Sequence, residues 1–159
     1  MPARTLKPSD SQGAMYYSHD DGSYSGFALH AWNDETCDGY SQFESPGSTG
    51  ATGTEWSAGL APTDTDENYG AVWLFDTKAG ATCANFIIHT GDNKDPHTDQ
   101  KLALEADSWS FVVSGVGVFT APEDVSLEAP FQIQNASAHW VNENTIFWNG
   151  TSDNVKLLW

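Results

Sequence analysis

Apolar residues along this chain come in short runs that alternate with clusters of Gly, Asp, Ser and Thr. None of the runs sustains a helical period with capping residues at its ends, so almost no helix is expected. Strands are predicted at residues 15–18, 26–33, 69–77, 83–90, 101–105, 108–114 and 117–120. The turn His19-Asp20-Asp21-Gly22 separates the first two. Residues 34–68 are too long for a plain hairpin and are expected to run over the surface, pinned by Phe43, Trp56 and Leu60. Many short strands at this spacing predict an all-β fold built as a two-sheet β-sandwich. The two ends read differently. Residues 1–14 are polar and aperiodic and predict a flexible tail, leaving 15–121 as the sandwich. Residues 122–159 open with a Pro- and acid-rich linker. Strand-like runs follow at 131–134, 138–141, 145–148 and 155–159, too few for a sandwich of their own.

The run Gly26-Phe27-Ala28-Leu29-His30-Ala31-Trp32-Asn33 is the most informative. Successive side chains on a strand point to opposite faces, so Phe27, Leu29 and Ala31 share one face and Ala28, His30 and Trp32 the other. The first set suits a core. The second places two rings about 6.6 Å apart, two strand rises, which approaches the step between glucose units in a curved α-glucan. Pyranose C–H faces pack on aromatic rings, which offer apolar area at low conformational cost. Alternation alone leaves two readings open: an exposed platform, or a strand buried on both faces with Trp32 in the core and His30 beneath a loop. Trp73 and Trp109 lie within apolar runs and read as core.

Charge narrows the partners. The formal net charge is −16, with only six Lys and Arg. Such a surface repels nucleic acid and anionic lipid, both of which need basic residues to replace counterions. No run approaches the length of a membrane span, and the start of the chain has no signal-type apolar stretch. A neutral sugar tolerates the charge. The loop 91–99 (Gly91-Asp92-Asn93-Lys94-Asp95-Pro96-His97-Thr98-Asp99) sets a scarce basic residue among acids and amides. Lys94 donates, Asp99 accepts, and vicinal sugar hydroxyls do both. A metal reading of Asp92, Asp95, His97 and Asp99 lacks the required ligand spacing. No paired carboxylates, nucleophile motif or phosphate loop points to catalysis, and no cofactor is implied. Cys37 and Cys83 fit no zinc pattern; they are expected to form a disulfide in an oxidising compartment, with two free buried thiols as the other reading.

The stretch 15–120 resembles carbohydrate-binding module family 41, the N-terminal α-glucan-binding module of bacterial type I pullulanases. The resemblance is carried by Tyr16-Tyr17, Asp21-Gly22, Tyr24-Ser25-Gly26-Phe27, Leu29-His30-Ala31-Trp32, Phe86-Ile87-Ile88-His89, Gly91-Asp92-Asn93-Lys94-Asp95-Pro96 and Asp99-Gln100, in that order. It implies an immunoglobulin-like sandwich that binds amylose, amylopectin, glycogen or pullulan. It places stacking aromatics at His30 and Trp32 and hydrogen-bonding groups at Lys94 and Asp99, with Asn93 and Asp95 beside them. Some members carry Trp where His30 stands, so Trp32 is expected to carry most of the stacking. Ala136-Ser137-Ala138-His139-Trp140-Val141, Thr145 and Trp148-Asn149-Gly150 resemble the opening of the next pullulanase module. The chain then reads as a non-catalytic targeting module of a secreted or cell-surface pullulanase, its signal peptide and catalytic region outside this sequence. A spacer domain that binds no sugar is the alternative.

Overall fold

The structure of the chain, a computed structural model, describes residues 2–48, 50–122, 137–142 and 145–149. It is an immunoglobulin-like β-sandwich. One sheet takes β1 (Gln12–Ser18), β4 (Asp64–Asp66), β5 (Gly70–Asp76), β9 (Ser108–Val113) and β10 (Gly117–Pro122) in the order β10-β9-β1-β5-β4. The other takes β2 (Ala28–Asn33), β3 (Thr52–Gly53), β6 (Cys83–Thr90), β7 (Asn93–Lys94) and β8 (Gln100–Ala103) in the order β3-β2-β6-β7, with β8 also on β6. A hairpin of β11 (Ser137–Asn142) and β12 (Thr145–Asn149) forms a two-stranded sheet of its own. The expected runs 131–134 and 155–159 lie outside the described residues.

Alternation sorts the side chains. Met15 and Tyr17 of β1, Ala71, Trp73 and Phe75 of β5, and Val112 of β9 face Leu29 and Ala31 of β2, Ala84, Phe86 and Ile88 of β6, and Leu102 of β8. These residues are 0–5% exposed and form the inter-sheet core. At about 1.5–3 kcal/mol for each large apolar side chain, this burial is the main force holding the sheets together. Phe43 and Leu60 pin the long 34–63 connection onto this core, as expected, and Tyr40 adds a fully buried ring. Trp56 does not join it. The buried Asn33 side chain ties the same connection down, donating to Tyr40 O at 2.9 Å and accepting from Tyr40 N–H at 3.0 Å. Cys37 and Cys83 are joined by a disulfide that links the connection to the start of β6, with Cα atoms 5.1 Å apart.

The N-terminal residues do not form the free tail expected of them. β1 begins at Gln12, and residues 2–6 lie against the first sheet. Tyr16 Oη donates to Leu6 O at 2.6 Å, Tyr69 Oη to Pro2 O at 2.7 Å, and Leu6 N–H to Asp66 Oδ2 at 2.8 Å. The Arg4 guanidinium sits 4.7 Å from the Trp109 ring. The cause is a second apolar cluster on the outer face of this sheet, where Tyr16, Tyr69, Val72, Trp109 and Phe111 alternate away from the core. Trp73 and Trp109 are both buried, as expected, Trp73 between the sheets and Trp109 in this second cluster. An aperiodic segment carries no sign of the surface it covers.

Candidate functional site

The outer face of the second sheet carries the site. Leu29, Ala31 and Asn33 of β2 are buried inward, while Ala28, His30 and Trp32 are partly exposed on the opposite face. Of the two readings that alternation left open, the one with Trp32 in the core does not hold. The His30 and Trp32 rings lie 5.3 Å apart with 29° between their planes. They border an open groove of about 540 Å³ whose polar side is formed by Lys94 and Asp99. Lys94 Nζ donates to Asp99 Oδ1 at 3.1 Å, and both side chains are accessible. One bond leaves Lys94 with further N–H groups and Asp99 with free lone pairs.

The far wall is β3, which pairs with β2 through Trp32↔Gly53 and Asn33↔Thr52. Gly53 lies so close that a Cβ on it would fall 2.6 Å from Trp32 Cβ and collide with Ala31 O. The strand therefore presses its bare backbone against Trp32. Thr54, just beyond β3, reaches under the groove and sets the proton positions of His30. Its hydroxyl accepts from Ala31 N–H at 3.1 Å and lies 2.8 Å from His30 Nδ1. A hydroxyl has one proton to give, and its alternative acceptor, Ala31 O, is 3.5 Å away. The better geometry is donation to Nδ1, which leaves Nε2–H as the donor on His30's other edge. Burial, and secondarily the nearby His89, push the His30 imidazole below its ordinary range, which keeps the ring neutral at physiological pH.

Not every sequence-predicted residue reaches the groove. Asp95 is turned inward: its carboxylate accepts from Tyr17 Oη at 2.5 Å, Ser114 Oγ at 2.5 Å and Gly115 N–H at 2.9 Å. With its lone pairs so engaged, it holds the loop rather than a ligand. Asn93 is exposed on β7, paired with Thr90, and does not line the groove. Conversely, sequence reasoning missed Trp56 as a site residue. It arrives on a 3-10 turn (Trp56–Ala58) and lines the groove. It stacks on His89 at 3.9 Å and 17°, and its ring centre is 5.5 Å from that of His30. Its Nε1–H donates to Asp92 Oδ1 at 3.3 Å, and Lys94 Nζ lies 5.7 Å from its ring centre. His89 donates Nδ1–H to Gly91 O at 2.8 Å and is a buried pedestal for the indole. No hydrophobic periodicity could have found this residue; the only signal was a large aromatic stranded in a polar loop. Among the described residues, no group of three or more His, Cys, Asp or Glu side chains is placed to hold a metal.

The arrangement is a stacking surface edged by one cation, one carboxylate and one neutral imidazole donor, which suits a neutral, hydroxyl-rich ligand. The chain has relatives among known proteins. Residues 12–120 match the family model described as the bacterial pullanase-associated domain. The chain is 28% identical over 132 residues to a pullulanase of Klebsiella pneumoniae, covering 82% of this chain and 11% of that protein. It is 34% identical over 89 residues to an α-amylase of Streptomyces lividans, covering 56% of this chain and 8% of that protein. It thus spans about a tenth of the curated relatives it matches. Among solved structures, a Klebsiella pneumoniae pullulanase complexed with maltotriose shares the fold with a TM-score of 0.55 at 24% identity, over 74% of this chain and 11% of that one. The resemblance seen in the sequence and the family match cover the same strands, and the chain belongs to the family of bacterial pullanase-associated domains.

Proposed function

We propose that this domain binds α-1,4-linked glucans in the groove over β2 and thereby targets an attached, secreted pullulanase to starch, glycogen or pullulan. The observation that carries this reading is the His30–Trp32 pair, stacked at 5.3 Å and open on one side, with the Lys94–Asp99 pair bordering the same groove. Trp32 offers a pyranose its indole face, and His30 adds a smaller ring and the Nε2–H donor. Lys94 and Asp99 serve as donor and acceptor for vicinal hydroxyls. Weak single-site affinity suffices for such a role, because tethering holds enzyme and polymer at a high effective concentration. The acidic surface leaves a neutral polymer unrepelled, and the disulfide fits an oxidising compartment.

Native electrophoresis in gels containing amylopectin, glycogen or pullulan tests the proposal. The wild-type domain is expected to be retarded, and Trp32→Ala to migrate as in a sugar-free gel with an unchanged melting temperature. Absence of retardation by every α-glucan would rule the function out and leave the spacer reading.

A further inference from the structure

We propose that Trp56 is the third stacking surface of this groove and extends it to a further sugar unit. The inference rests on the glucan reading above and deepens it. On the outer face of β2 the row Trp32, His30 continues to Ala28, which pairs with His89 of β6. Gly59 closes over Ala28, where a Cβ on it would fall 3.0 Å from the Ala28 Cβ, and the same 3-10 turn brings the Trp56 indole from a different part of the chain to stack on His89. The row then keeps its step: 5.3 Å from Trp32 to His30 and 5.5 Å from His30 to Trp56. The planes do not stay parallel. They turn by 29° at the first step and by 62° at the second. Ring planes that turn from one to the next suit a helical α-linked chain better than a flat, extended β-linked one, so the third ring also bears on which glucans fit.

One face of Trp56 is covered by His89, so only the opposite face is left for a ligand. Asp92 holds the indole through its Nε1–H, and Lys94 lies within cation–π reach of the ring. These contacts fix the ring before any ligand arrives, which lowers the ordering cost of binding.

Calorimetric titration with maltose, maltotriose and maltotetraose, and with cellotetraose for comparison, tests this. In the wild type, affinity should rise with the number of α-linked units, and cellotetraose should not bind. Trp56→Ala should keep maltose affinity within about twofold and lose the gain from added units, about fivefold to tenfold for one aromatic contact. Trp32→Ala should lose binding at every length. Trp56→Phe, which retains a ring over His89, should restore part of the gain. A Trp56→Ala variant that weakens every length equally, or leaves the length profile intact, would overturn the proposal. A wild type that binds no α-glucan would overturn the glucan reading itself. In wild-type protein the Trp56 indole N–H resonance should shift with maltotriose and longer chains. If it is unmoved by any of them, the inference fails even if the alanine variant does not fold.

Discussion

The Tyr17 hydroxyl donates to the Asp95 carboxylate at 2.5 Å, joining β1 of one sheet to the loop that follows β7 of the other. Ser114 and Gly115 complete the clasp from the turn after β9. Asp95 directly follows Lys94, so this clasp sets the position from which Lys94 reaches the groove. Asp95→Ala strips partners from two partly buried hydroxyls and is expected to cost about 1–3 kcal/mol in urea unfolding. Burial raises the Asp95 carboxyl, but the hydrogen bonds from Gly115, Ser114 and Tyr17 outweigh it and leave it below the usual range. A depressed folded-state value stabilises the fold above the unfolded-state value, near about pH 4, and that contribution is lost as pH falls through the folded-state value. The acid limb of the stability profile should therefore be shallower in Asp95→Asn than in the wild type.

Gly53 makes a second prediction. Any side chain there meets the backbone of Ala31 and the Cβ of Trp32, neither of which has a flexible end to move aside. Gly53→Ala is expected to shift β3 or tilt Trp32 and lower glucan affinity about tenfold or more, while Gly47→Ala, which meets nothing within 4 Å, leaves it unchanged. Affinity electrophoresis of the two variants side by side is the check.

The Lys94–Asp99 pair is accessible on both sides, and an exposed pair contributes about 0–1 kcal/mol to stability. Lys94→Met should leave the melting temperature nearly unchanged and reduce glucan affinity about tenfold. Because the sugar is neutral, wild-type affinity should barely change with added salt, which titrations at low and high ionic strength would reveal.

His30 sets a pH dependence. Burial, followed by the neighbouring His89, lowers its pKa, so the unfolded chain takes up the proton first as pH falls. The His30 contribution to stability should be level above about pH 6.5, the ordinary imidazole value, and decline as pH drops from there through the lowered folded-state value, whereas binding should decline only as pH passes that lowered value. Once protonated, Nδ1 becomes a donor facing Thr54 Oγ1, already the acceptor for Ala31 N–H. Thr54→Val removes the hydroxyl that fixes the tautomer. It should weaken binding at neutral pH with little change in fold, as seen by calorimetry and circular dichroism.

The Cys37–Cys83 disulfide spans a sequence separation of 46 residues. Loop-closure entropy puts its contribution at up to about 4 kcal/mol. Dithiothreitol, or the double Cys37→Ala/Cys83→Ala substitution, should lower the unfolding midpoint correspondingly.

Local pattern made much of this molecule legible. Period-two alternation separated Leu29 and Ala31 from His30 and Trp32, because side-chain direction on a strand is a property of the strand itself. The composition of the 91–99 loop singled out Lys94 and Asp99, and the family resemblance assigned them their role. The errors have equally local causes. Asp95 was grouped with Lys94 because it is next in sequence, yet neighbours along an extended segment point to opposite sides.

The His30–Trp32 stripe, the two-sheet class and the polar groups of the 91–99 loop were thus determined by the sequence alone. Tertiary structure decided what surrounds them. It sent residues 2–6 across the outer apolar face of the first sheet, aimed Asp95 at Tyr17, and carried Trp56 back onto His89 beside His30. Each of those contacts joins segments far apart in the chain. Their positions follow from which surfaces must be covered once the sheets have formed, and no short-range period records that.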